Sequence, residues 1–210
     1  MRRTPAGPIV LVGIMGAGKT TVGRLLAERL GFAFVDLDDC IERAQGKSVQ
    51  QIFTEKGEAG FRELEADATR RMAAGPDSVV GTGGGWMARP ELSGFWPGAI
   101  RIWLRVSPGQ AIARLAGELS TRPLLAVPNP EQALRELVAQ RLMHYQFAEL
   151  WVDTEERSPP EIVDEIANRL SADCSTGASG GLFGQVERQA PVGHCRIADQ
   201  GEDTGAVPGR

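Results

Sequence analysis

Gly13-Ile14-Met15-Gly16-Ala17-Gly18-Lys19-Thr20 fits the pattern G-x-x-x-x-G-K-[ST], and its flanks place it between a strand and a helix. Upstream, Ile9-Val10-Leu11-Val12 is a continuous apolar run rich in β-branched residues, as a strand buried on both faces requires. Downstream, Val22, Leu25, Leu26 and Leu30 recur at helical spacing, and Gly31 stands where a helix C-cap belongs. The layout suits a triphosphate. Glycines let successive N–H groups turn toward the phosphates, and the helix N-terminus adds its positive end. Lys19 carries a full charge to the β and γ phosphates, and the Thr20 hydroxyl suits Mg²⁺. At average residue usage such a pattern arises by chance in a chain of this length roughly once in a hundred, and the strand-loop-helix context lowers that further. The motif announces a nucleotide and leaves the acceptor open.

Working outward, Phe32-Ala33-Phe34-Val35 is a second short strand that ends at Asp36-Leu37-Asp38-Asp39. A short helix follows and stops near Gly46, and Ser48 with Gln51 is a capping box that opens the next. Glu58 to Ala74 reads as a long, charged, amphipathic helix. Ser78-Val79-Val80 is a third strand closing on Gly81-Thr82-Gly83-Gly84-Gly85, and Ile100 to Leu104 is a fourth. Ser107-Pro108 has the chemistry of an N-cap followed by proline at the first helical position. Turn residues and prolines mark 117–130 as a mobile loop. Glu131 to Ala148 is helical, Leu150-Trp151-Val152 is a fifth strand, and a last helix runs from Ser158 to near Leu170. Strands alternating with helices imply a three-layer α/β domain, a five-stranded parallel sheet covered on both faces. In such sheets ligands lie beyond the C-terminal strand ends. The turns at Asp36/Asp38 and Gly83-Gly84-Gly85 therefore share a mouth with the glycine-rich loop.

The 210 residues suffice for one domain, and 42% apolar with 24% charged residues is a globular composition. A net charge of −4 offers no basic field for nucleic acid, so an anionic ligand needs local arginines. No apolar run approaches the roughly 20 residues that span a bilayer, and the stretch after Arg2-Arg3 reads as a strand rather than a leader. Cys40, Cys174 and Cys195 are widely spaced and follow no paired-ligand pattern, which suits plain thiols in a reducing cytoplasm. His144 and His194 are too few for a histidine metal site or a Ser-His-Asp triad. The expected domain is 1–172. Residues 173–210, rich in Gly, Ser and polar groups without period, read as a low-complexity disordered tail.

The acceptor side is written less plainly. Asp36 and Asp38, two residues apart, would point the same way on an extended segment, one toward a metal's water shell and one toward an acceptor hydroxyl. An acidic helix N-cap accounts for them equally well. Arg62 with Glu65 has the spacing of a surface ion pair worth little. Gly83-Gly84-Gly85 suits close backbone approach to a ligand or is simply a loop. Trp86 is read as covering the pocket, Trp96, Trp103 and Trp151 as core or rim aromatics, Cys40 as a packed thiol, and Arg70-Arg71 as solvated helix surface.

Together these stretches resemble the shikimate kinase family. The resemblance rests on Gly13 to Thr21, Asp36-Leu37-Asp38, Ile52-Phe53 with Gly57-Glu58, Phe61-Arg62 and Thr82-Gly83-Gly84-Gly85. It continues through Arg122-Pro123-Leu124-Leu125, Arg141 with Tyr145, and Val152-Asp153-Thr154, in order from about residue 8 to 170. It implies a fold like that of the nucleoside monophosphate kinases and ATP-dependent phosphorylation of the shikimate 3-hydroxyl, giving shikimate 3-phosphate and ADP on the route to aromatic amino acids. It implies that Gly16, Ala17, Gly18, Lys19, Thr20, Thr21, Arg122 and Arg157 meet ATP, with Arg122 on a lid. Arg62 and Arg141 would hold the shikimate carboxylate beside Gly83, Gly84 and Gly85, while Asp38 would receive ring hydroxyls and serve as candidate base. Mg²⁺ would sit on Thr20 directly and on Asp36 through water. Catalysis is assigned to Lys19, Asp38 and Arg122, and the partners are shikimate and ATP alone, with no nucleic acid or membrane, for a cytoplasmic monomer. The lid has no basic residue between Gly117 and Arg122, and Leu142-Met143-His144 lacks a proline common in the family. A gluconate or nucleoside monophosphate kinase on the same scaffold, or a non-catalytic nucleotide-binding relative, remains as an alternative.

Overall fold

The apolar run Ile9–Val12 forms β1, every residue of it buried, in the middle of a five-stranded sheet. The computed structural model describes residues 6–72, 75 and 77–176, with side chains through Ala172. The other strands are β2 Ala33–Asp36, β3 Ser78–Gly81, β4 Ile100–Arg105 and β5 Leu150–Asp153, ordered β2-β3-β1-β4-β5. All four pairings are parallel, with Leu11 opposite Gly81 on one side and Ile102 on the other. Because successive residues point to opposite faces, four buried residues in a row require cover on both. That cover is α1 Lys19–Leu30, α2 Leu37–Gln45, α3 Val49–Arg71, α4 Pro90–Ser93, α5 Pro108–Arg114, α6 Pro130–Tyr145 and α7 Pro159–Thr176. Helix α1 packs against α7, and α5 packs against α6. The expected α/β architecture is the observed one.

Capping chemistry starts and stops these helices. Gly31 closes α1 in the left-handed region, its N–H bonded to carbonyls of the last turn. Ser48 and Gln51 form the reciprocal box that opens α3, at 3.2 and 2.9 Å, a device worth about 1 kcal/mol. Ser107 caps α5 and Asn129 caps α6, each accepting the N–H three residues on. Helix α3 is two rods on one length of chain, broken at Gly57 with φ 68° and ψ −176°. The rod from Glu58 matches the amphipathic helix expected there and ends at Arg71, since Met72 already has extended dihedrals.

Several boundaries differ from expectation. Helix α7 runs to Thr176 rather than stopping near Leu170. Apolar period reports only the packed face, and among the described residues Leu170 is its last member packed against the core. The backbone ladder continues past that contact. The segment after Gly117 holds a short 3₁₀ turn, Leu119–Thr121, and is pinned by buried Leu125. Trp86 does not cover the pocket: it opens a 3₁₀ turn, lies buried with its ring 5.3 Å from that of Trp96, and donates its indole N–H to Thr69 at 3.1 Å. Of the expected tail, 173–210, the first four residues continue α7, and the rest lies outside the described residues.

Candidate active site

The C-terminal ends of the strands surround a cleft of about 510 Å³, a volume suited to small ligands. The glycine-rich loop forms its floor. Gly18 is the N-cap of α1 at φ 89°, and Lys19, Thr20 and Thr21 open the helix. The Lys19 ammonium donates back to Gly13 O at 2.9 Å and Ile14 O at 3.0 Å. Burial pulls its pKa down to about 8, against the opposing pull of Asp38 and then Asp36. An arriving polyanion would favour the charged form and hold it there.

Asp36 and Asp38 do not share an extended segment. Asp36 ends β2 and caps α2, while Asp38 lies in that helix's first turn. A helix start so soon after a strand end still lets both line the cleft. Asp36 Oδ1 accepts from the Asp38 N–H at 3.1 Å, and its Oδ2 accepts from the Thr20 hydroxyl at 2.9 Å. The cap and the cleft group are one side chain. Asp38 Oδ1 is buried and has no hydrogen-bond partner among the described residues. Burial, then the charges of Asp36 and Glu65, push the Asp38 pKa up to about 7. That is where a general base works best near neutrality.

Arg62 and Arg141 meet at one carboxylate. Glu58 Oε1 accepts from Arg62 Nη2 at 3.0 Å and lies 3.7 Å from Arg141 Nη2. The Arg62–Glu65 pair, expected at the surface, has a fully buried carboxylate 3.0 Å from Arg62 Nη1. Partnering of that kind is costly to break, about 3–5 kcal/mol, against at most about 1 for an exposed pair. Burial works against the Arg62 charge, but Glu65 and Glu58 outweigh it and the net shift is upward. Arg141 is buried on α6, one helical turn before Tyr145. The buried phenol donates to Gly84 O, meets the Arg141 guanidinium, and stacks 5.4 Å from Trp103. Gly83 and Gly84 line the cleft, whereas Gly85 sits behind Arg62. A Cβ at Gly85 would lie 2.5 Å from Arg62 Cζ, and one at Gly83 would fall on Glu65 Oε1. The turn lacks side chains because two charged groups occupy their space.

Arg122 follows the 3₁₀ turn, faces the cleft and is close enough to depress Lys19; its Nη2 donates to Glu118 at 2.7 Å, and its Nε is buried without a partner among the described residues. Arg157 also lines the cleft, held by Asp153 O at 3.0 Å and by Glu165. Sequence reasoning missed Arg114, Glu58 and the burial of Glu65. Arg114 lines the cleft from the end of α5, reaching Gly16 O at 3.3 Å and Thr154 Oγ1 at 3.1 Å. No periodic signal marks it. Its lining role depends on α5 lying over the loop, a tertiary fact.

The oxygens of Thr20 and Asp36 suit a hard cation that keeps its waters and takes further ligands from phosphate. No cluster of three or more His, Cys, Asp or Glu that would hold a metal alone occurs among the described residues. The donor set therefore fits Mg²⁺ carried with a nucleotide and does not fit a permanent metal centre.

A shikimate kinase family model matches residues 15–171. A shikimate kinase of Symbiobacterium thermophilum is 46% identical over 77% of this chain and 95% of its own length. One from Synechococcus sp. (strain CC9605) is 41% identical over 80% of this chain and 85% of its own. Among solved structures, shikimate kinase from Acinetobacter baumannii in complex with shikimate superposes with a TM-score of 0.73 at 34% identity, over 85% of this chain and 97% of that one.

Proposed function

This chain belongs to the shikimate kinase family and is an ATP-dependent kinase, and we propose that the cleft between the glycine-rich loop and Arg62/Arg141 performs its transfer. One observation carries the reading. Two shielded guanidiniums converge on a single carboxylate oxygen, in the same cleft as an unpartnered Asp38 oxygen and the Lys19 ammonium. A hydroxy acid satisfies all three demands: its carboxylate suits the arginines, its hydroxyl suits Asp38, and its reacting oxygen then faces the phosphates. Gly83 and Gly84 border that acceptor.

In this mechanism Lys19 leaves the loop carbonyls for the β and γ phosphates, beside the N–H groups of Gly16, Ala17, Gly18, Thr20 and Thr21. Thr20 would hold Mg²⁺ directly, and Asp36 would hold it through water. Bound there, Mg²⁺ neutralises phosphate charge and polarises the γ-phosphoryl group. Asp38 accepts the proton of the shikimate 3-hydroxyl as its oxygen bonds to the γ-phosphorus and the bond to the β-phosphate oxygen breaks. Shikimate 3-phosphate and ADP leave. Arg122 lies on the lid, 117–130, and stabilises the charge on the transferring group. Arg157 and Arg114 flank the nucleotide on the β4 and β5 side. The proposed partners are shikimate and ATP, for a monomer, and consumption of ATP suits a cytoplasmic setting. No helix of the described residues is long and apolar enough to cross a membrane.

The test is ADP release from Mg·ATP with and without shikimate. Turnover that depends on shikimate is expected. Turnover with gluconate or a nucleoside monophosphate and none with shikimate overturns the acceptor. Tight ATP binding without product from any of them would leave a nucleotide-binding module.

A further inference from the structure

If Arg62 and Arg141 are the clamp for the acceptor's carboxylate, that clamp already holds one, and it belongs to the chain. Glu58 Oε1 takes a hydrogen bond from Arg62 at 3.0 Å and lies 3.7 Å from Arg141. The two arginine side chains are only 17% and 9% exposed, while that of Glu58 is 46% exposed. We propose that Glu58 is a specificity-determining placeholder, whose carboxylate occupies the seat between Arg62 and Arg141 until the carboxylate of the hydroxy acid displaces it.

Charge balance argues for displacement rather than shared occupancy. Two guanidiniums in a poorly solvated wall repel each other, and Glu65 engages Arg62 through Nη1. Glu58 takes the Nη2 edge, so two carboxylates face two guanidiniums, and Arg89, which also acts on Glu65, has Glu91 as its own partner at 2.8 Å. A ligand carboxylate adds a third anion at the edge where Glu58 sits. Glu65 has no exposed surface and cannot leave, but Glu58 can turn into water at small cost. It follows the break at Gly57, at the very start of its rod, so no preceding helical turn encloses it.

The seat is therefore contested by a tethered competitor of high effective concentration. A simple anion has nothing else to bring against it, and a neutral polyol leaves the placeholder seated. A hydroxy acid adds the bonds of its hydroxyls to Asp38 and wins the exchange. Glu58 gives up some affinity for the true acceptor in return for discrimination against everything smaller.

The test uses the full chain with Glu58→Gln, which keeps the shape and removes the charge. The shikimate KM is expected to fall about three- to fivefold, the range commanded by an ion pair half open to water. The effect should appear in KM rather than kcat, and the ATP KM should hold. Formate, as a competitive inhibitor against shikimate, should bind tighter by a similar factor. Glu58→Asp, a methylene short of the seat, is expected to shift KM the same way. An unchanged or raised shikimate KM in Glu58→Gln overturns the placeholder. Arg62→Ala separates the two layers of the argument. If it leaves the shikimate KM unmoved, the clamp itself falls and the placeholder with it. If it raises that KM while Glu58→Gln changes nothing, the placeholder alone falls.

Discussion

Asp38 shows at the scale of one residue how a site is made reactive at the expense of the fold. Its carboxyl titrates near 7 in the folded chain against an ordinary 3.8, with burial the main cause. Below both values the two states bind the same proton and the group is neutral to stability. Between them the native state keeps a proton that the unfolded chain has released, so stability falls as pH rises through that window. Above about pH 8 the full cost of charging a buried carboxyl is present. Asp38→Asn is therefore expected to melt higher than the parent at about pH 8, with the gain shrinking toward zero near pH 4. Paired melting curves across that range check it, and a lower melting point at alkaline pH would refute the burial argument. The same substitution should cost turnover about a hundredfold or more. In the parent, kcat/KM should climb with pH through about 7 as the base loses its proton. The resemblance named Asp38 a candidate base, but its raised pKa was not legible in Asp36-Leu37-Asp38: the main cause is burial, a tertiary fact, and the charge of neighbouring Asp36 is joined by that of Glu65, which is distant in the chain.

At the scale of the element, the glycine turn after β3 and the rod from Glu58 to Arg71 are a fitted pair. The rod carries Glu58, Arg62 and Glu65 on one side, and the turn leaves room for the latter two. Gly85→Ala would drive a methyl into the Arg62 guanidinium, with the first close contact at 2.5 Å. The expected result is a shikimate KM raised about tenfold, equivalent to roughly 1.4 kcal/mol, with the ATP KM little changed. Steady-state kinetics in both substrates decide it, and an unaltered shikimate KM would mean that the guanidinium gives way without consequence. Sequence reading had located both elements correctly, since strand runs, capping boxes and helix periods are local signals. From the sequence, Gly83-Gly84-Gly85 suits close approach to a ligand or is simply a loop. Two of them make room for the protein's own side chains, and i to i+3 spacing alone cannot distinguish a buried Arg62–Glu65 pair from a solvated one. Trp86 failed for the same reason: a large ring after a turn is equally consistent with lid and core until Trp96 and Thr69 are seen beside it.

At the scale of the whole molecule, strand order divides the labour. The glycine-rich loop leaves the central strand; Asp36, Asp38 and Gly83, to which the proposal gives Mg²⁺ and the acceptor, stand at the ends of β2 and β3; and Arg114 and Arg157 follow β4 and β5. That order was not readable from the chain, because strands succeed one another identically whichever neighbour they pair with. Among the described residues, the cleft is lined by positions from Met15 to Ile162. A chain ended after Thr176 is thus expected to keep its turnover and melting point, and loss of either would assign residues 177–210 a part in the machinery. The break at Gly57 has a mechanical outcome of its own. The rod before it touches the segment after Gly117, through Gln50 to Ser120 O at 3.3 Å, and the rod after it carries Arg62. Two lever arms share one pivot whose dihedrals, φ 68° and ψ −176°, are closed to any residue with a side chain. The helix ladder is interrupted there, so a swing of the first arm would reach the second through the Phe53 and Phe61 rings, 4.8 Å apart across the break, and not through backbone hydrogen bonds.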